Sequence, residues 1–543
     1  MVYRQKPWLK FYDSRVSESV LVDYDSLFDL LHQASNIHGD MPALTFFGKS
    51  WSYRETRMIS EMFAASLYRI GFRKGDRLAI MLPNCPHYIF SLFAGFRLGG
   101  IAVQVNPMYV EREIKHVLTD SEAEYIVVYE ALYQRVKQVQ PKSSLKKIIV
   151  VGFGGNRIEL SEGDIYFEDF LTHDNLIPEI PINIKEDVAL LQYTGGTTGV
   201  SKGVMLTHQN LLANIIQVCD FTYNAVDERP DNFKIVSVLP MFHVFGLSCN
   251  ALSAIRIGCN QLILPRFDVN ELLEVIKREK PFQVVVVPTM IFALNSHPQL
   301  EESNIGDIFY VGSGGAPLPI EQIKSFEKRV GTRLVDGYGL SETAPSAIST
   351  PPFLPRKLGS VGIPLPGTEA RIVRETEDGY ENVPVGEAGE LILRGPQVMK
   401  GYWKRPGDTE MVLKDGWLFT GDIAKMDEDG YFYILDRKKD IIIASGYNVY
   451  PREIEEVLYQ HEAVEEAIVI GIPDQYRGET VKAFVKLKAG AVVSPESLIE
   501  FAKINLAPYK VPREIEFLDD LPKSSVGKLL RRMLKKKEEK VEV

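Results

Sequence analysis

Cysteine is scarce in this chain. The 543 residues contain four, Cys85, Cys219, Cys249 and Cys259, and no two of them form a Cys-x-x-Cys pair. That spacing excludes a disulfide framework and a cysteine zinc site, and leaves buried apolar packing as the expectation for each. The opening Met1-Val-Tyr-Arg-Gln-Lys-Pro-Trp8 lacks the apolar segment of a signal peptide. No uncharged apolar run is long enough for a transmembrane helix. A basic excess is missing too: 62 Lys and Arg stand against 72 Asp and Glu, a net charge of −10. A nucleic-acid-binding surface is therefore not expected, and a cytoplasmic protein is. Trp8, Leu9 and Phe11 beside Lys6 and Lys10 have the chemistry for peripheral contact with a membrane, but packing against the body of the protein is the preferred expectation. No internal repeat is visible.

What the chain does have is ordinary globular material, 45% hydrophobic and 25% charged, and length enough for more than one domain. Its most unusual stretch is Tyr193-Thr-Gly-Gly-Thr-Thr-Gly-Val-Ser-Lys-Gly203, which continues the apolar run Val188-Ala-Leu-Leu-Gln-Tyr193. The run reads as a buried strand, and the glycines mark where regular structure stops. Gly195, Gly196 and Gly199 let successive backbone N–H groups turn towards one point, a concavity that suits an anion. Thr194, Thr197 and Thr198 add hydroxyl donors and Lys202 a full positive charge, which favours polyphosphate binding over a plain surface loop. A Walker A loop would open directly into a helix after Gly-Lys-Ser/Thr. Here Val204-Met-Leu206 follows as an extended run, and the helical pattern begins at Thr207, a good N-cap. The loop is expected between strands.

Strand-like and helix-like runs alternate from Pro42 through Arg77-Leu-Ala-Ile-Met-Leu82 and Tyr125-Ile-Val-Val128, which predicts α/β layers with mostly parallel sheets. Later, Ile308-Phe-Tyr-Val311 runs into Gly312-Ser-Gly-Gly-Ala316, then a helical pattern with Ile320, Ile323, Phe326 and Val330 on one face. Arg333-Leu-Val335 and Asp336-Gly-Tyr-Gly339 repeat the strand-and-glycine arrangement. Both loops then fall at the carboxyl ends of adjacent parallel strands, where open α/β sheets bind ligands. Gly314, Gly315, Gly337 and Gly339 permit close approach of a flat base, and Tyr338 offers it an aromatic face. Ser341 can donate to a phosphate, and Glu342 is a hard oxygen ligand suited to Mg²⁺. Asp422, after the strand-like Trp417-Leu-Phe-Thr420, can accept from both hydroxyls of a ribose. His243, among Phe242, Val244 and Phe245, would on general grounds be a packed core residue.

These blocks resemble the adenylate-forming superfamily of acyl- and aryl-CoA synthetases, luciferases and peptide-synthetase adenylation domains. Besides the Thr194–Gly203 loop, the resemblance rests on Pro240–Gly246, Gly312–Pro317, Asp336–Thr343, Gly416–Asp422, Asp436–Asp440 and Leu521–Lys528, seven blocks in the family's order from about Leu27 to Lys537. Their wording is most similar to long-chain-fatty-acid–CoA ligases. The resemblance implies a large N-terminal adenylation domain over residues 1–436, and a small α+β C-terminal domain over 437–543 that swings on a hinge at about 436–440, with Lys439 at its centre. It also implies roles. ATP would lie against Thr194 to Gly199, Lys202, Gly314, Gly315, Ala316, Asp336 to Gly339 and Ser341, with its ribose on Asp422 and Arg437. Mg²⁺ would sit at Thr194 and Glu342, and the acyl group near His243, Phe245 and Ser313. Ser445, Gly446 and Tyr447 would line the path of coenzyme A. Lys528 would be the catalytic lysine on substrate carboxylate and α-phosphate, with His243 positioning or gating, not acting as a general base. Val526 replaces the more usual Ser or Gly, and Ile443 stands where luciferase-like members carry a second lysine. Homodimers occur among the resembling enzymes.

The function so implied is ATP-dependent ligation of a medium- to long-chain fatty acid to CoA through an acyl-adenylate. The alternative is an acyl-adenylate-forming enzyme that loads a different carboxylic acid or a carrier-protein thiol, although no Leu-Gly-Gly-x-Ser attachment motif is fused here. The failed Walker pattern disfavours a phosphoryl-transfer kinase. A non-catalytic binder would have no need of Lys528.

Overall fold

The computed structural model describes residues 2–155, 157–172, 177–194, 201–224, 233–377, 379–444, 446–474, 476–524 and 528–541. The phosphate-loop residues Gly195, Gly196, Thr197, Thr198 and Gly199, together with Ser445 and Val526, lie outside that set. Among the described residues the strands assemble into four sheets. Arg77–Met81, Ile101–Gln104 and Tyr125–Tyr129 are nearly continuous apolar runs, the pattern of strands buried on both faces. They pair in parallel, with Ala79 opposite Val103 on one side and Ile126 on the other. Val188–Thr194 extends the same eight-stranded sheet. A nine-stranded sheet holds Lys234–Ser237, Gln283–Val286, Tyr310–Ser313 and Leu334–Gly339, also parallel to one another.

Helices Leu27–His38, Tyr53–Arg69, Pro86–Arg97 and His208–Tyr223 supply much of the apolar layer that joins the two sheets. Pro86–Arg97 is apolar almost all round, and Phe90, Phe93 and Phe96 are each 1% exposed or less, as a helix covered on both sides requires. Full burial of each such ring stabilises by roughly 1.5–3 kcal/mol. Thr207 caps the last of these helices as expected, accepting from the Asn210 N–H at 3.2 Å while the Asn210 side chain accepts from the Thr207 N–H at 2.9 Å. The helix therefore starts seven residues beyond the glycine loop, and the loop itself joins two antiparallel strands, Val188–Thr194 and Lys202–Thr207.

A six-stranded antiparallel sheet carries the next expected site residues. Asp422 was expected just beyond the end of a strand, but the strand continues from Trp417 to Met426. Its partner strand pairs Glu390 with Ile423 and Ile392 with Phe419, so extra residues are bulged out between them. Gly421, at φ 69°, makes the left-handed turn of that bulge and re-aims Asp422. The C-terminal unit is α+β, as expected. Strands Val464–Asp474 and Gly478–Leu487 pair antiparallel against helices Pro451–Leu458 and Pro495–Asn505, and helix Arg531–Val541 closes the chain.

The N-terminal segment packs on the body of the protein. Trp8 is 1% exposed with its ring 6.0 Å from Phe432, and Phe11 meets Tyr431 edge-on at 5.0 Å. All four cysteines are buried, and none forms a disulfide among the described residues. Among the described residues no helix is long and apolar enough to cross a membrane. Trp8→Ala is expected to cost about 3–5 kcal/mol of local stability, read as a lower midpoint of thermal unfolding; an unchanged midpoint would mean that this strap does not hold the antiparallel sheet.

Candidate active site

Both large sheets end at one place. Val188–Thr194 and Ile101–Gln104 of one sheet, and Gln283–Val286, Tyr310–Ser313 and Leu334–Gly339 of the other, direct their carboxyl ends into a cavity of about 1690 Å³. Pockets for a single drug-sized ligand run to roughly 300–1,000 Å³, so this one has room for more than one substrate. In the nine-stranded sheet Lys234–Ser237 lies between Asn260–Ile263, which follows it in the chain, and Gln283–Val286, which begins the run in the other direction. That reversal of strand order creates the crevice in which such sheets bind ligands. Leu239, His243 and Val287 line it.

The turn bearing His243 follows strand Lys234–Ser237 of the nine-stranded sheet and is held by side chains from the eight-stranded one. The Asn84 side-chain amide donates to Leu239 O at 2.9 Å and accepts from the Met241 N–H at 2.8 Å. Gln104 donates to Met241 O at 2.8 Å, and the Gln192 side chain accepts from the Val244 N–H at 2.7 Å. Gly246 follows because a Cβ there would lie 2.3 Å from Pro240 O. His243 Nδ1 accepts from the Phe245 N–H at 3.2 Å. The imidazole proton is thereby assigned to Nε2. Burial, and then the nearby Lys528 ammonium, push this histidine down to about 4. It is a neutral hydrogen-bond donor near pH 7, and a weak base.

On the opposite wall Gly314 gives the Phe245 ring room, since a Cβ would approach it to 3.0 Å, and Gly315 turns at φ 83°. Ser313 Oγ is buried with no hydrogen-bond partner among the described residues, and it lines the cavity. The Tyr338 hydroxyl donates to Asp422 Oδ2 at 2.6 Å, and Arg437 Nε meets Asp422 Oδ1 at 3.1 Å. Burial pushes Asp336 up to about 7, opposed by Arg452, while its Oδ1 accepts from the Gly337 N–H at 3.0 Å. Glu342 accepts from the Tyr402 hydroxyl at 2.7 Å; burial, then that carboxylate, holds the tyrosine above its ordinary range and so protonated. Lys202 pairs with Asp408 at 2.8 Å and lies 5.4 Å from the centre of the Tyr402 ring. His116 shares a hydrogen bond of 2.8 Å with Ser201 O at the foot of the glycine loop.

Lys528 comes from the far end of the chain, yet it lines the same cavity as Asp422, Arg437 and His243. Burial, and then Arg437, push its ammonium down to about 8, with Asp422 opposing. Burial also holds Lys439 below the ordinary lysine range. Thr194, Lys202, His243, Phe245, Ser313, Gly314, Gly315, Ala316, Asp336, Gly337, Tyr338, Gly339, Ser341, Glu342, Asp422, Arg437, Lys439 and Lys528 are thus gathered round one space. Gly446 and Tyr447 are not. Gly446, at φ 82°, turns a hairpin, and Tyr447 is 56% exposed and stacked on Tyr509. Sequence reasoning did not single out Gln104, Gln192, Tyr402 or Asp408. The two glutamines had a signal, as amides closing otherwise apolar buried strands. Tyr402 and Asp408 had none, because only folding brings them to Glu342 and Lys202.

Among the described residues no group of three or more His, Cys, Asp or Glu could enclose a metal. Mg²⁺ needs no such cage, since it takes one or two carboxylates and completes its shell with phosphate oxygens and waters. A single half-buried carboxylate such as Glu342, facing a space beside a lysine-bearing strand, fits that habit and no transition-metal site.

Comparison with known proteins agrees with this geometry. Residues 31–403 match the AMP-binding enzyme family, and residues 453–528 match the AMP-binding enzyme C-terminal domain. The long-chain-fatty-acid–CoA ligase of Bacillus subtilis is 42% identical over 555 residues, covering 98% of both chains. The one from Salmonella typhimurium is 38% identical over 98% of both. Among solved structures, ATP-bound MatB from Rhodopseudomonas palustris superposes with a TM-score of 0.87 at 29% identity, over 95% of this chain and 99% of its own. With both family regions matched in order and full-length relatives at this identity, the chain belongs to the AMP-binding enzyme family.

Proposed function

We propose that this protein is an AMP-forming acid–thiol ligase that converts a medium- to long-chain fatty acid, ATP and coenzyme A into acyl-CoA, AMP and pyrophosphate. The observation that carries the proposal is the meeting of Lys528 with Asp422, Arg437 and His243, in a cavity also lined by Lys202 and Glu342. A non-catalytic nucleotide pocket would not need a lysine delivered from the far end of the chain. The name of the 42%-identical relative supports the fatty acid as substrate, and the size of the cavity supports a long one.

A carboxylate resists attack by a thiol, because its carbon is shielded by negative charge and its leaving group is poor. In the first step a carboxylate oxygen of the acid forms a bond to the α-phosphorus of ATP. The α–β bridge breaks, and pyrophosphate leaves with the electron pair. Two anions meet in this step, so fixed positive groups should dominate the catalysis. Lys202 at the glycine loop and Lys528 on the carboxylate and α-phosphate would supply them; Mg²⁺ carried on the triphosphate, with Glu342 and Thr194 beside it, would neutralise further charge. Asp422 and Arg437 would hold the ribose, and Tyr338 with the Gly314–Ala316 and Asp336–Gly339 turns would hold the base. His243, neutral and protonated on Nε2, would orient the acyl carboxylate as a donor. In the second step the thiol of CoA attacks the acyl carbon, AMP leaves with the electron pair of the C–O bond, and the thiol proton passes to solvent.

The second step needs Lys528 withdrawn and the thiol admitted. Residues 437–543 would therefore turn as a unit about Lys439, bringing Ser445, Gly446 and Tyr447 to the pantetheine path. The exposure of Tyr447, away from the cavity, is what such a turn leaves to be done.

Lys528→Ala is expected to slow acid-dependent pyrophosphate release by at least about 10²–10³-fold, while supplied acyl-adenylate and CoA still give thioester; equal loss of both half-reactions in a folded variant would sink the assignment. Because the ammonium form is the active one and its pKa is about 8, kcat/KM of the first half-reaction should fall as pH rises through that value. Release of AMP across acids from acetate to oleate tests the chain length, and ADP as product would refute the reaction type. His243 should keep the ¹⁵N signature of the neutral Nε2–H tautomer from about pH 9 down to about pH 5, titrating only near 4; a midpoint near 6.5 would remove it from the donor role.

A further inference from the structure

Two of the contacts between the C-terminal unit and the body of the protein are of one kind, beside an aromatic one in which the Phe292 and Tyr459 rings lie 6.0 Å apart. Helix Pro451–Leu458 has no side-chain cap of its own. Instead Asp436, at the end of strand Phe432–Arg437 and 4% exposed, accepts from the Arg452 N–H at 2.8 Å in the helix's first turn. The reverse contact lies a short distance along the same helix. Helix Ile320–Val330 begins after Pro319, which cannot cap it, and Glu456 of the C-terminal unit accepts from the Ile320 N–H at 3.2 Å. Each unit thus places a carboxylate on a helix N-terminus of the other, where unpaired N–H groups and the helix dipole favour negative charge. Arg452 Nη1 adds a bond to Ile434 O at 3.0 Å.

Arg531 joins this set to the active site. It stands three residues after Lys528 and donates to Asp436 Oδ1 at 3.1 Å. It also makes bonds of 2.6 and 2.8 Å to the two oxygens of Glu455, whose Oε1 accepts from the Val469 N–H at 2.8 Å. Glu455 and Arg531 both follow Lys439, so a turn about that residue carries them together. Removing one partner of a buried ion pair is costly because it strands the other charge. Here Arg531 keeps Glu455, while Asp436, Glu456, the Arg452 and Ile320 N–H groups and Ile434 O would exchange protein partners for water. The contact can therefore hold and still release.

We infer that Asp436 and Glu456 are positioning residues for the first half-reaction: crossed carboxylate-to-helix contacts that, through Arg531 and helix Pro451–Leu458, hold Lys528 in the cavity, and that part before thioester formation. The inference rests on the two-step reading proposed above, and Asp436 and Glu456 are assigned no contact with substrate.

The test uses the full-length enzyme and oleate. Asp436→Asn and Glu456→Gln are each expected to lower ATP–pyrophosphate exchange by roughly tenfold, the scale of one charge-assisted hydrogen bond. Both should leave the conversion of supplied oleoyl-adenylate and CoA to thioester unchanged or faster. Limited trypsin cleavage at Lys438 or Lys439 should speed up in both variants. Parallel loss of both half-reactions, or exchange at the wild-type rate in both variants, overturns the latch. Failure of the wild-type enzyme to exchange pyrophosphate with any acid overturns instead the reading on which it rests.

Discussion

Asp422 answers to several positive or donating groups at once, and the arrangement round it governs the rest of the cavity. Tyr338 donates to one of its oxygens and Arg437 pairs with the other, while Lys528 feels its charge from across the cavity. Burial, and then the Arg437 charge, push the Lys528 ammonium below the range of a free lysine, and Asp422 offsets only part of that. Such a site favours the arrival of further negative charge. In the proposed reaction a triphosphate and a carboxylate would bring it, and the positive groups round the cavity would attract them.

The scaffold places those charges by geometry rather than by sequence proximity. Two mostly parallel sheets share one apolar helix layer and present the carboxyl ends of their parallel strands to a common space. The bulge at Gly421 turns Asp422 out of the run of its strand, and four amide contacts from Asn84, Gln104 and Gln192 keep the His243 turn from collapsing onto the neighbouring core. The precision is in rigid elements. Lys528, by contrast, lies beyond Lys438–Asp440 in the chain, in a region that meets the body through polar contacts such as those of Asp436 and Glu456 and through the Phe292 and Tyr459 rings. A large apolar interface there would fix the lysine permanently in place, against the two-step reading proposed above.

Much of this was legible in the residues. The strand before the glycine loop, the helix capped by Thr207, and the adjacent glycine turns at Gly312 and Gly337 follow from local periodicity and turn chemistry, which need no knowledge of distant contacts. The continuous strand Trp417–Met426 was not legible, because a Gly-Asp pair reads locally as a stop. It becomes a bulge only when Glu390 and Ile392 on the partner strand fix the register. The Lys202–Asp408 and Glu342–Tyr402 pairs were invisible for a related reason. Lys202 and Asp408 stand about two hundred positions apart in the chain, and Glu342 and Tyr402 sixty, and nothing in either segment marks the other.

By itself, then, the order of residues determined that α/β layers would form the protein, and set the expectation of which groups would bind phosphate, hold a ribose or deliver a cation. These are properties of short stretches, where side-chain type and backbone freedom act over a few bonds. Only the tertiary structure decided that the pieces share one cavity, which proton His243 carries, how far burial weakens the Lys528 ammonium, and that Tyr447 stands outside while Lys528 stands in. Those outcomes depend on desolvation and on charges brought together across the whole chain. They do not exist until the apolar core between the two sheets has closed.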